Sequence, residues 1–211
     1  EYMLKIKRFD QNDIFDQKLI NNSLTEEHVI EIAETIADFH QRIAIADVKS
    51  GTLIVDTVTR AVIQNFDQLR HFIQTQNSDL QQLFSKLEQW SKQKTITLTP
   101  LFRQRLDNGF VRECHGDMHL GNITLYQDKV TIFDGIEFNP DFRWIDVMSE
   151  IAFITMDLDS AGNTAFSSIL LNHYLEQTGD YAGLHLLSYY QAYRAMVRAK
   201  VTALRLGQLE D

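Results

Sequence analysis

Four side chains within one short stretch have the types and spacing for phosphoryl transfer: His115, Asp117, Asn122 and, twelve residues past Asn122, Asp134. A carboxylate at Asp117 can orient an attacking hydroxyl and take up its proton. The amide oxygen of Asn122 and the carboxylate of Asp134 are hard donors of the kind magnesium takes. Five positions separate Asp117 from Asn122, so one compact turn can aim both groups into one cleft. The spacing His-x-Asp-x-x-x-x-Asn is that of the catalytic loop with which kinase-type enzymes place a base and a metal ligand.

Elements on both sides must hold this loop. Phe110–Cys114 reads as the strand that feeds it. Residues 123–126 and 130–133 read as a hairpin across Gln127-Asp128-Lys129, which would return Asp134 to the side of Asn122. Cys114 beside His115 suggests a thiol nucleophile, but strand alternation turns neighbouring side chains apart and favours a buried structural cysteine.

The run from Arg112 to Ile123, with Asp134 and with Ile136-Glu137-Phe138-Asn139-Pro140, resembles the aminoglycoside phosphotransferase and choline kinase group, relatives of the protein kinases. The resemblance is closest to a bacterial branch often joined to a P-loop ATPase domain. It implies an α+β, mainly helical fold: the large C-terminal lobe of a protein-kinase-like enzyme, carrying a catalytic-loop β-hairpin. It further implies ATP and Mg2+ as cofactors, with Asn122 and Asp134 as metal ligands and Asp117 as the base. His115 would shape the loop, and His119 would face the acceptor or help hold the turn. Glu137 would approach the metal or order the following loop. Asp146 would brace the catalytic loop, against the simpler reading of a first-turn acid favoured by the helix dipole.

Two departures from the protein kinases stand out. Gly116 occupies the place of their arginine, and Asp134 is followed directly by Gly135. Both favour a small-molecule acceptor, a hydroxyl or an amine, over a protein. By the same resemblance residues 1–9 are the hinge strand, where Met3, Leu4 and Lys5 would meet the adenine, and residues 10–211 are the lobe. The small N-terminal lobe, with its phosphate-covering loop and lysine, would then precede Glu1.

Composition narrows the partners. Twenty-nine acids against 20 bases give a net charge of −9, which argues against nucleic-acid binding and against adhesion to anionic membranes. One cysteine cannot form an internal disulfide, and neither a membrane span nor a signal peptide is visible, so a cytoplasmic location is expected.

The scaffold reads as helices. Asn12 or Asp13 would cap a short one through Ile20, and Ser23 with Glu26 offers a capping box for another to about Arg42. Apolar stripes predict helices over 55–73 and 80–90, and Thr99-Pro100 looks like a separate start that runs to Gly109. Further helices are expected over 141–156, from 166 to a stop at Gly179, and over 184–206. The last carries Arg194, Arg198 and Arg205 on one face with no acid between Tyr193 and Gly207. Either acids of this chain (Glu137, Asp146, Glu150) pair with them, or an anionic substrate or the preceding lobe does. Two other function classes stay open at this stage. His115, Asp117 and His119 could be the ligands of a metal-dependent hydrolase, or the chain could be a non-catalytic nucleotide-binding lobe serving an attached ATPase.

Overall fold

The structure, a computed structural model, describes residues 10–47 and 51–209, with the backbone path alone for 51–57 and 207–209. The hinge reading of residues 1–9, with Met3, Leu4 and Lys5, lies outside the described residues. The fold is mainly helical with two small sheets. In chain order come α1 (Phe15–Ile20), α2 (Glu26–Arg42), α3 (Gly51–Gln74), α4 (Ser78–Asp107), β1 (Val111–Glu113), β2 (Ile123–Tyr126), β3 (Lys129–Ile132), β4 (Trp144–Asp146), α5 (Val147–Ser160), α6 (Thr164–Thr178) and α7 (Leu184–Leu209). No described helix is long and apolar enough to cross a membrane.

Helix α5 is the hub. Val147, Met148, Ile151, Phe153, Ile154 and Leu158 bury it on nearly every side, as a helix apolar all round must be. It packs against α6 and α7, while α2 closes over α6 and α3 lies against α4 and α7. In α2 the residues Val29, Ile32, Ala33, Ile36, Ala37 and His40 recur at helical spacing and are all buried.

Several boundaries differ from the sequence reading. The cap of α2 is Thr25, not Ser23: Thr25 Oγ1 accepts from the His28 N–H at 3.3 Å, and His28 Nδ1 accepts from the Thr25 N–H at 3.2 Å. Ser23 and Leu24 are instead tied to the Lys18 carbonyl while Leu24 sinks into the core. The first turn is capped by Asp10, and α1 starts only at Phe15. Pro100 starts no helix; it lies inside α4 on an exposed face, and buried Ser91, Thr95, Phe102 and Leu106 hold the helix together on both sides of it. Trp144–Asp146 is not helical. It pairs antiparallel with β1, Val111 opposite Asp146 and Glu113 opposite Trp144.

The hairpin is tighter than expected. Lys129 pairs with Tyr126, which leaves Gln127 and Asp128 as the turn, with φ of +53° and +57°. Two residues with positive φ make the turn whose twist matches that of the strands.

Candidate active site

The loop is built from both ends. The Phe133 N–H donates to the Asn122 carbonyl at 3.0 Å, so the hairpin returns the chain to Asn122 just before Asp134. His115 ties the same two segments. Its carbonyl accepts from the Ile136 N–H at 2.9 Å, and its Nε2 lies 2.8 Å from the Phe133 carbonyl. Its Nδ1 accepts from the Asp117 N–H at 3.3 Å. His115 therefore shapes the loop, and both its nitrogens are engaged.

Gly116 has φ of +90°, and a Cβ placed there would lie 2.6 Å from the Phe142 carbonyl oxygen. Neither an arginine nor any other side chain fits at that point. Asp134 also takes a left-handed conformation, φ +62°, which aspartate tolerates better than most residues.

Asp117 and Asp134 line one pocket of about 850 Å³, together with Glu137, Asp146, Arg194 and Lys200. Asn122 Nδ2 donates to the Asp117 carbonyl at 2.9 Å and to its carboxylate at 3.3 Å, which leaves the Asn122 Oδ1 as the amide's free acceptor. Its remaining oxygen and the Asp134 carboxylate are the donor chemistry of a magnesium site, so these residues fit the ion the motif implies. The Asp117 side chain is 39% exposed, and His119 Nε2 stands 3.5 Å from its Oδ2. Burial raises the Asp117 pKa, but His119, then Arg194 and His115, outweigh it and hold the carboxyl below its ordinary range. His119 Nδ1 accepts from the Gly121 N–H at 3.0 Å. His119 thus braces the turn and points at Asp117.

The brace of the catalytic loop is Glu150, a residue the sequence reading considered only as an arginine partner. Its Oε1 accepts from the Gly116 N–H at 2.6 Å and its Oε2 from the His115 N–H at 3.2 Å. Behind it the buried His40 bridges Glu150 Oε2, at 3.1 Å, and the Tyr174 hydroxyl, at 2.9 Å. Burial opposes the charge on Glu150, yet His40, His115 and the Gly116 N–H lower its pKa overall. The expected bracing role of Asp146 is corrected by this finding. Asp146 instead caps α5 through the Met148 N–H, and both its oxygens are taken by Arg105 at 2.6 and 2.8 Å. The folded-state pKa of Glu150 is depressed. Its stabilisation is therefore complete above the ordinary glutamate value of about 4.3 and is lost as the pH falls through the lower folded value. We expect Glu150→Gln to melt below the parent at pH 7, with the gap closing as the pH falls below 4. Thermal melts across pH 3–7 check this, and a gap independent of pH would refute it.

Two of the three arginines of α7, Arg194 and Arg198, find partners inside the chain, though not the acids expected. Arg194, 5% exposed, donates to the Gly116 carbonyl at 3.0 Å and to Ser149 at 3.2 Å, with its guanidinium 4.9 Å from the Phe153 ring. Arg198 stands 3.5 Å from Asp157, whose other oxygen accepts from the Leu120 N–H at 3.2 Å. Both arginines hold the catalytic loop, one directly and one through Asp157. Arg205 is exposed. Glu137 lines the pocket.

The hydrolase reading fails on geometry. Both His115 nitrogens and His119 Nδ1 already serve the loop, so His115, Asp117 and His119 cannot converge on an ion. Among the described residues, His40, Cys114 and Glu150 bring ligand atoms within 4.8 Å of one another, but Glu150 is committed to the loop amides. Cys114 is buried, and burial first, then Glu150 and Asp146, pushes its thiol well up. It is no nucleophile.

No family model matches the chain. Two uncharacterized proteins, one of Mycobacterium bovis and one of Mycobacterium tuberculosis, are each 30% identical over 177 residues, 84% of this chain and 35% of theirs. The chain thus spans about a third of the length of these curated relatives. Among solved structures, a glucosamine kinase (crystal form B) matches with a TM-score of 0.51 at 15% identity, over 94% of this chain and 58% of that one. A glucosamine kinase in complex with glucosamine, ADP and inorganic phosphate matches at 0.47 and 17%, over 94% and 55%. The first of these likenesses shows a shared fold.

Proposed function

We propose that this chain is the large lobe of a phosphotransferase that moves a phosphoryl group from ATP to a hydroxyl or amine of a small, sugar-sized molecule. One observation carries the reading: Asp117 and Asp134 line the same pocket, and the buried Asn122 is hydrogen-bonded to Asp117. Asn122 and Asp134 would hold Mg2+, which supplies charge neutralisation at the phosphates. Asp117, ionised and half open to the pocket, orients the acceptor hydroxyl and takes its proton. Gly116 through Asn122 is held rigid by Glu150, Arg194 and Asp157, so the base does not have to be reorganised during transfer. The kinase neighbour supports this reading through its fold and its name, and the protein-kinase-like lobe, the aminoglycoside phosphotransferase kinship and residues 1–9 as hinge belong to the same proposal. The whole protein would add the small lobe and, on the family pattern, a P-loop ATPase domain.

The test is Mg2+-dependent nucleotide binding by the full-length protein, followed by ATP turnover over hexoses, amino sugars and amines. Asp134→Asn should weaken Mg-ATP binding by about tenfold or more, the loss of a charged ligand being worth roughly 1.5–3 kcal/mol. Unchanged binding in that variant would remove the metal-ligand assignment and the reading with it.

A further inference from the structure

Arg194 and Arg198 of α7 are spent on the loop around Asp117, but the same helix brings one more cation to the pocket. Lys200 lines its wall with Val58, Ala61, Val197 and Val201. The Lys200 Nζ meets a neutral group, Asn65 Oδ1 at 2.6 Å across the α3–α7 contact. Lysine offers donors only, so the amide must turn its oxygen to it. That leaves Asn65 Nδ2 buried with no hydrogen-bond partner. Among the described residues, no carboxylate lies within ion-pairing distance of Lys200; of the acids that line this pocket, Asp146 is neutralised by Arg105. A half-buried ammonium beside apolar side chains and one amide is poorly compensated, and burial accordingly lowers its pKa.

Position gives this charge a meaning. Arg194 holds the Gly116 carbonyl next to Asp117, and Lys200 follows it by six residues on α7. At 1.5 Å per residue that is roughly 9 Å along the helix. Resting on the phosphotransferase reading above, we propose that Lys200 is an anion subsite at the far end of the acceptor pocket, selecting a hydroxylated acceptor that also carries a carboxylate or phosphate group. A pocket of about 850 Å³ that holds both Asp117 and Lys200 has room for a molecule of hexose size with its anionic group and reacting hydroxyl at opposite ends. An anionic oxygen at Lys200 gives the ammonium a charged partner beside the neutral amide of Asn65.

The experiment is isothermal titration of the full-length protein, without nucleotide, with glucose, gluconate and glucose 6-phosphate. At least one of the two anions should bind about tenfold tighter than glucose, the gain expected for a charge-assisted hydrogen bond. Lys200→Gln should erase that preference and leave glucose affinity unchanged, while Lys200→Arg retains it. Lys200→Met, which keeps the apolar stem, should behave as Lys200→Gln and guards against a packing defect. Equal affinity for all three sugars, or an anion preference that survives Lys200→Gln, would overturn the proposal. A parallel titration with Mg-ATP separates the sources of the anion. If Lys200→Gln weakens Mg-ATP and spares the sugars, the subsite belongs to the nucleotide phosphates and the acceptor assignment fails. Loss of Mg-ATP binding by the parent protein would instead count against the phosphotransferase reading, whatever the sugars do.

Discussion

Phosphoryl transfer by Asp117→Asn is expected to fall by about 10²–10⁴, the usual contribution of a positioned general base, with Mg-ATP affinity nearly unchanged. The substitution keeps the size of the side chain and leaves the His119 and Asn122 neighbours in place. What it removes is the ability to take a proton. Because His119, Arg194 and His115 more than offset burial and hold the Asp117 carboxyl below its ordinary range, the base is ionised throughout pH 5–8, and no acid limb of the rate profile in that window belongs to it. Single-turnover measurements on the full-length protein, saturated with nucleotide, read the effect directly. A rate within a factor of about five of the parent, far short of a general-base contribution, would show that Asp117 is a bystander.

Arg105→Met should destabilise the lobe by about 3–5 kcal/mol, the cost of breaking a buried ion pair by removing one partner. Arg105 is buried and doubly forked. Its Nε and Nη2 donate to Asp146 at 2.6 and 2.8 Å, and its Nη1 and Nη2 to Asp180, both at 2.7 Å. Burial disfavours its charge, but the hydrogen bonds and charges of Asp180 and Asp146 reverse that and raise its pKa. Without it, two carboxylates stand buried with no cation. The loss should therefore be partly recovered when Asp146 and Asp180 are both changed to Asn in the same chain. Urea unfolding of the parent, the single variant and the triple variant measures both steps. A single-variant loss below about 1 kcal/mol, the level of an exposed pair, would mean that the triad contributes little beyond packing.

The parts of this site that could be read from the residues are those whose partners are near in the chain. The loop spacing, the hairpin and the stop at Gly179 each depend on a few consecutive residues. The proximity of Asp117, Asn122 and Asp134 was legible for that reason, and Asp134 reaches the pocket because a two-residue turn brings the chain back. Glu150 and Arg105 were not legible as what they are, because their partners lie 34 to 110 residues away. A signal for Glu150 was present all the same. It stands between Met148 and Ile151 on a helix with few other charges, where an unpaired carboxylate would be too costly to bury. For Asp146 the choice was between a bracing acid and a first-turn acid favoured by the helix dipole, and the structure instead makes it the N-cap of α5. Trp144 and Ile145 suited a helical face as well as a strand; only pairing with β1 decides between them. The break placed at Thr99-Pro100 failed because tertiary packing on both sides of the proline outweighed a local start signal.

The single guanidinium of Arg194 both forms part of the pocket wall and grips the carbonyl beside the base. Occupancy of the pocket and readiness of the chemistry are thereby joined mechanically in one side chain. On the phosphotransferase reading proposed above, a compound wedged against α7 that levers Arg194 aside would disarm Asp117 from a distance, so inhibitors of such a lobe need not compete for either the nucleotide or the reacting hydroxyl.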